Sequence, residues 1–362
     1  MFMNLPESFD SKIQSDNSKS RLFFTEVIKS YKKAATSVGK EIRRLYKIGG
    51  SYTELIFAGP KGVPLLTPAF EHLISDKKEK AELKIYIWDS ASTGVTLPSV
   101  PWNVNDCISR NQPWRFRNKR YEILFQPENN ILNLMDSELH KACFWINDFQ
   151  NLPEYEIGSP LLAVLHWWFS RRHLQLIHAA AVGRIDGGVL IVGKGGSGKS
   201  STALSCLQSD LLYTGDDYCL ISNKSRPIVY SLYSTGKLND KDVSLFPYLK
   251  PSLYKSDRPG NQNKAIYFIH RCFPEKTLKR FPLKAVLIPK LTGHSSPRIE
   301  KIPPASGLLA LGPSTVFQLP GFEEQTFRNL SEVVKKVPCY KLELAKGRDK
   351  NASVLSRFLS RL

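Results

Sequence analysis

Residues 193–200, GKGGSGKS, constrain what this chain can fold into more than any other stretch. They satisfy the pattern G-x-x-x-x-G-K-[ST], once in the chain, between an apolar run at 189–192 and the helix-forming segment KSSTALSCL. Glycines at 193, 195, 196 and 198 let backbone N–H groups turn toward one point, and a helix starting at Lys199 adds its dipole there. Such a loop has a use only between a strand and a helix, so the sequence commits this region to an α/β fold with an anion site at the strand end. Gly193, Lys194, Gly195, Gly196, Ser197, Gly198, Lys199, Ser200 and Ser201 are expected to wall a nucleotide, which is ATP in this reading. Lys199 would meet the outer phosphates, and Ser200 would offer its hydroxyl to Mg2+.

The next feature is the pair Asp216 and Asp217 in LLYTGDDYCLI, which one short helix and one strand separate from the loop. Phosphoryl transfer needs one group to hold the metal and another to accept the proton of the attacking hydroxyl, and two adjacent carboxylates can divide that work. The bland alternative is a solvated turn at 215–218. His178, at the head of the apolar run IHAAAV, reads alone as a hydrogen-bonded core histidine at least as readily as a site residue. A transferring phosphate also needs cations from outside the loop. Lys237 in an STGK turn, with Lys264 and Arg271 bracketing AIYFIH, are the candidates among many basic residues.

The order His178, glycine loop, Asp216, Asp217 resembles HPr kinase/phosphorylase, whose core is related to that of phosphoenolpyruvate carboxykinase. The resemblance implies that Lys199 and Ser200 bind phosphate and metal and that Asp216 is the proton acceptor. Asp217 would assist metal or substrate positioning, and His178 would face the transferred phosphate. It covers residues 176–222. A looser likeness, through WDSASTG at 88–94 and the segment before Ser159, is to the HPr-kinase-like serine kinases, some of which modify natural-product precursor peptides such as lasso peptides. The glycine-rich signature that follows the core in HPr kinase/phosphorylases is missing, and residues 22–150 do not resemble their N-terminal domain. The activity implied is therefore ATP-dependent phosphorylation of a serine-type hydroxyl in a peptide or protein. A small-molecule hydroxyl such as free serine, or a nucleotide-sensing protein without transfer, are the alternatives.

At 362 residues the chain suits two units. The expectation is a polar, flexible arm at 1–20, a smaller N-terminal α/β domain at 21–157, and a P-loop kinase domain with a mixed sheet at 158–362. Strands are expected at 53–58, 83–88, 121–126, 131–135 and 142–146, the last three forming an antiparallel sheet, with a helical pattern at 68–73 and an irregular, proline-containing segment at 96–113. Ser159 and Pro160 read as the start of a helix running to about residue 173. A strand at 284–288, helices at 305–311, 327–336 and 352–359, and a strand at 339–344 complete the pattern.

Net charge is +18, and residues 151–362 hold 30 basic and 16 acidic side chains. Such a field draws anions in general, and an acidic peptide or a nucleotide suits it; nucleic acid ranks last among the partners weighed. No stretch is long and apolar enough to span a membrane, and the start lacks a secretory pattern, which points to the cytoplasm. Six scattered cysteines without a CxxC pair read as reduced thiols. The aromatic group Trp167, Trp168 and Phe169 reads as packing between the two units rather than as a base-stacking patch. A homo-oligomer is compatible with all of this.

Overall fold

Between Pro6 and Gly39 the sequence holds neither glycine nor proline, and nothing in it stops a helix once started. The structure, a computed structural model, describes residues 9–103, 107–108, 112–113, 118–254, 264–316 and 321–362. Its first element is the helix α1 (Phe9–Ser37). This corrects the expected arm at 1–20, because residues 9–20 are the helix's first turns; residues 1–8 lie outside the described residues. Phe23, Phe24, Val27, Tyr31 and Ala34 share one face and are buried, which anchors α1 along the sheet behind it.

That sheet begins with a hairpin, β1 (Glu41–Ile48) and β2 (Ser51–Ala58). Gly49 and Gly50 turn it with φ of 57° and 90°, the two left-handed residues that a tight hairpin turn requires. After the short helix α2 (Val63–Leu66) and a 3-10 helix at Pro68–Leu73, β3 (Leu83–Asp89) runs into α3 (Ser90–Thr93), whose first turn Asp89 caps through Ser92 N. A two-residue pair, β4 (Cys107–Ile108) with β5 (Gln112–Pro113), lies in the segment expected to be irregular, and the other residues from 104 to 117 are outside the described residues. The meander β6 (Tyr121–Gln126), β7 (Ile131–Asp136) and β8 (Lys141–Ile146) follows. These three strands are antiparallel to one another, but β8 pairs parallel to β3, so all belong to one six-stranded mixed sheet, β1-β2-β3-β8-β7-β6.

The expected long helix from Ser159 is two short ones, α4 (Glu154–Gly158) and α5 (Leu162–Ser170). Gly158 ends the first, where Ser159 is the C-cap and donates its backbone N–H to Tyr155 O, and Leu161 enters the second with a left-handed φ of 60°, so Ser159 and Pro160 form a break and start no helix. Trp167, Trp168 and Phe169 are buried in a core that runs from the six-stranded sheet to Leu220 of the second sheet and to Leu232 and Tyr233. Apolar packing, not base stacking, accounts for them.

The second sheet has nine strands. Its early strands are β9 (Leu174–Ile177), β10 (Ala180–Arg184) and β11 (Gly187–Ile191), after which the glycine loop leads into α6 (Lys199–Ser205). Then come β12 (Leu212–Gly215), β13 (Cys219–Ser222) and β14 (Ile228–Ser231). A separate ribbon, β15 (Thr235–Asn239) with β16 (Lys264–Phe268), precedes α7 (Ile269–Cys272). The sheet is completed by β17 (Arg280–Leu291), β18 (Arg298–Ile302) and, beyond α8 (Pro304–Val316) and α9 (Glu323–Lys336), β19 (Cys339–Leu344); α10 (Arg348–Leu359) closes the chain. The order is β12-β10-β11-β17-β14-β13-β9, with β19 parallel to β17 and β18 antiparallel to β19. One face packs on α6 and α10, the other on α8 and α9, giving three layers of mixed α/β structure. Among the described residues no helix is long and apolar enough to cross a membrane.

Candidate functional site

β11, β17 and β19 run parallel, β11 ending level with Leu287 and β17 and β19 ending level with each other at Leu291 and Leu344, and the loop at 193–198 lies at these carboxyl ends. Gly193, Gly196 and Gly198 take φ of 142°, 77° and 99°, which a side chain would strain, and a Cβ on Gly198 would lie 2.6 Å from Leu344 Cδ1. The loop therefore needs glycine both for its turn and for its fit against β19. Lys199, 6% exposed, folds back so that its ammonium donates to Gly193 O at 2.7 Å and Lys194 O at 3.2 Å. Burial lowers its pKa and nearby Lys264 adds to this, while Asp216 and Asp217 pull the other way.

The acid pair is placed by register. Ile177 pairs with Cys219 and Ala181 with Gly215, so the links 178–179 and 216–218 cross side by side from one flank of the sheet to the other. His178 and Asp217 meet there, with His178 Nε2 3.0 Å from Asp217 Oδ1 and the His178 ring 5.2 Å from that of Tyr218. The His178 backbone N–H donates to Thr315 Oγ1 of α8 at 3.2 Å, which fixes the link.

Asp216 and Asp217 sit differently. Asp216 is 1% exposed; its Oδ2 accepts the Lys237 backbone N–H at 2.8 Å, and its Oδ1 has no hydrogen-bond partner. Burial pushes its pKa up to about 6, the charge of Asp217 adds to this, and the Lys237 N–H, the Ser200 hydroxyl and Lys199 hold it down from rising further. For Asp217 burial also acts upward, but Lys237 and His178 outweigh it and hold the carboxyl far below the usual range. Lys237 Nζ lies 2.6 Å from Asp217 Oδ2, and Ser159 Oγ lies 3.0 Å from the same ammonium and 3.4 Å from that oxygen. The oxygens of Asp217 are thus engaged by N–H and O–H donors, whereas Asp216 is the acid beside Ser200.

A cleft of about 340 Å³ joins these groups, bounded by the loop, His178, both aspartates, Lys237, Lys264 and the end of β19. Lys237 stands in β15 rather than in a turn, because pairing with β16 outweighs the turn propensity of Thr and Gly. Asn239 pairs with Lys264, so the ribbon carries both lysines to one side. Arg271 does not line the cleft; its Nε lies 3.6 Å from Glu71 Oε2, and it covers the Phe268 ring at 4.9 Å.

The sequence reading missed the support given by the α4–α5 break. Thr235 Oγ1 donates to Gly158 O at 2.7 Å and Tyr233 OH to Pro160 O at 2.8 Å. A Cβ on Gly158 would meet Lys237 Cε at 2.7 Å, so glycine is what lets the lysine stem pass. Glu156, 5% exposed, accepts the Leu161 N–H, and burial pushes its pKa up to about 7. Gly158 directly before Ser-Pro was the available sign of a break.

Among the described residues no group of three His, Cys, Asp or Glu side chains could hold a metal alone. The Ser200 hydroxyl and the unpaired Asp216 Oδ1 are nevertheless hard oxygen donors of the kind magnesium takes when nucleotide phosphates and water complete its shell. The residues fit such an ion.

With this geometry in place, the comparisons with known proteins bear on one part of the chain. It is similar to an HPr kinase/phosphorylase. The relative, from Mycoplasma mycoides subsp. mycoides SC, is 32% identical over 80 residues, which are 22% of this chain and 26% of that protein. The chain thus matches about a quarter of its relative's length. Among solved structures, the Hpr(Ser) kinase/phosphatase from Coxiella burnetii aligns with 52% of this chain and 94% of its own, at 14% identity and a TM-score of 0.27. No family model matches the chain.

Proposed function

We propose that this chain binds ATP with Mg2+ at the glycine loop and transfers the terminal phosphoryl group to a serine-type hydroxyl of a peptide or protein. The observation that carries the proposal is Asp216, a buried carboxylate raised to about 6 and with one free oxygen, beside Ser200 and lining the same cleft as Lys199. A proton acceptor works best when its pKa lies near the working pH, and this one is ionised at neutrality yet basic enough to accept a hydroxyl proton. The likeness to an HPr kinase/phosphorylase over 80 residues supports the same chemistry.

In this reading Lys199 leaves the Gly193 and Lys194 carbonyls for the phosphates, where its charge is needed as the bond to the leaving group lengthens. Asp216 takes the proton of the acceptor hydroxyl. Asp217, kept ionised by Lys237 and His178, holds those two donors toward the transferring group. Ser200 would hold magnesium, with Asp217 joining it through a bridging water, and the ion when bound supplies positive charge to the phosphate oxygens. Direct coordination by Asp217 would require it to give up a bond to His178 or Lys237, which contact by way of water does not. The division at 157/158 belongs to the same proposal, and it falls in the last turn of α4, next to the break that supports Lys237.

The test is transfer from γ-labelled ATP to serine-containing peptides, natural-product precursors among them, with free serine in parallel. Label on a peptide with the native chain and none with Asp216→Asn supports the proposal. Label on free serine alone moves the acceptor to small molecules, and ATP binding without labelled product from any acceptor refutes transfer.

A further inference from the structure

A nucleoside triphosphate has a base as well as phosphates, and the glycine loop offers the base nothing. Ligands of open α/β sheets lie across the carboxyl ends of the parallel strands. At those ends β17 finishes in Leu291 and β19 in Leu344, and both line the cleft. Leu344 is 4% exposed, whereas Leu291 leaves 66% of its surface open. The two side chains abut the loop itself, since a Cβ on Gly198 would lie 2.6 Å from one and 3.8 Å from the other. An apolar step therefore begins within one side chain of the phosphate site.

The edge of this step is rigid. Asn351 of α10 accepts the Ala345 N–H at 2.9 Å and donates to Ala345 O at 3.1 Å, which fixes the turn after β19, and Lys346 follows on the cleft rim. We propose that Leu291 and Leu344 form the platform on which the nucleobase rests, with the turn at 345–346 as its edge. The inference rests on the triphosphate reading above. Its occupant is set by continuity: a ligand whose phosphates lie in the loop extends along the strand ends, and an aromatic base covers an apolar side chain that is otherwise in water.

Calorimetric titration of the full chain with MgATP and with magnesium tripolyphosphate, which carries the same charges but no nucleoside, separates the two halves of the site. Leu291→Ser is expected to weaken ATP about tenfold, the loss from uncovering much of one leucine, and to leave tripolyphosphate within about twofold. Leu291→Phe, which keeps an apolar surface, should restore ATP. Because Leu291 is exposed, neither change should unfold the chain, which a melting curve checks. Unchanged ATP affinity in Leu291→Ser, or equal weakening of both ligands, overturns the platform. Lys199→Ala weakens both ligands if the phosphate site is correct; if it weakens neither, the triphosphate reading fails and the platform falls with it.

Discussion

Replacing Asp216 by Asn should make the protein more stable and less active at once, and the gain should depend on pH in a calculable way. Asn keeps an oxygen for the Lys237 N–H but carries no charge into a site that is 1% exposed. In the folded chain the aspartate holds its proton up to about pH 6, against the ordinary 3.8 of an exposed side chain. The folded state thus binds the proton more tightly, so native stability falls as pH rises through that window. At roughly 1.4 kcal/mol per unit, the full loss is about 3 kcal/mol, of which about 2 kcal/mol accrues between pH 4.5 and 7.5. Asn suffers no such loss, and other groups titrate alike in both proteins. Urea denaturation of wild type and Asp216→Asn at pH 4.5, 6 and 7.5 should therefore show the variant's advantage growing by about 2 kcal/mol across the series. In labelled-ATP assays the same variant should lose about 10²-fold or more in transfer. A stability difference that does not change with pH, or one that shrinks as pH rises, would refute the argument that a buried carboxylate is being forced to ionise.

The other predictions concern its neighbours. Lys237→Met leaves Asp217 without its ammonium partner and should cost about 3–5 kcal/mol, whereas Lys237→Met combined with Asp217→Asn should cost less than the sum of the singles by about 1–3 kcal/mol; strict additivity in urea titrations would show that the pair is not coupled. Gly198→Ala combines a φ of 99° with a Cβ 2.6 Å from Leu344 and should lose about 1–3 kcal/mol, with weakened nucleotide binding measured by titration. Lys199→Ala should abolish nucleotide binding or turnover, and undiminished turnover would remove the glycine loop from the site.

The parts of the fold that were legible are those in which local chemistry and tertiary context agree. The glycine loop announced itself because its composition suits one junction, strand to helix, and β6, β7, β8 and β19 stood out because apolar, β-branched and aromatic residues are bounded by turn residues. β1 was missed although Gly-Gly follows it, because EIRRLYKI is too charged to read as a buried strand and earns its place as a half-exposed edge. The N-terminal helix was hidden by its polar first turns; only the spacing of Phe23, Phe24, Val27, Tyr31 and Ala34 records what it covers. In the site, Asp216 and Asp217 were visible as a pair but not as two environments, since what separates them is Lys237, Ser159 and His178, brought from elsewhere in the chain. Ser-Pro looks like a helix start in any sequence window, and only contacts with Tyr233 and Thr235 turn it into a brace.

That brace has a consequence for how the molecule can be divided. Its residues follow directly on the six-stranded sheet and α4, and the apolar core beneath it draws on both sheets. A fragment beginning after Pro160 would retain every atom of the loop that grips phosphate and both aspartates, yet would lack the wall against which Lys237 is laid. The ability to hold a nucleotide and the ability to spend it would then part company, the first resting on one half of the chain and the second on the seam between the halves.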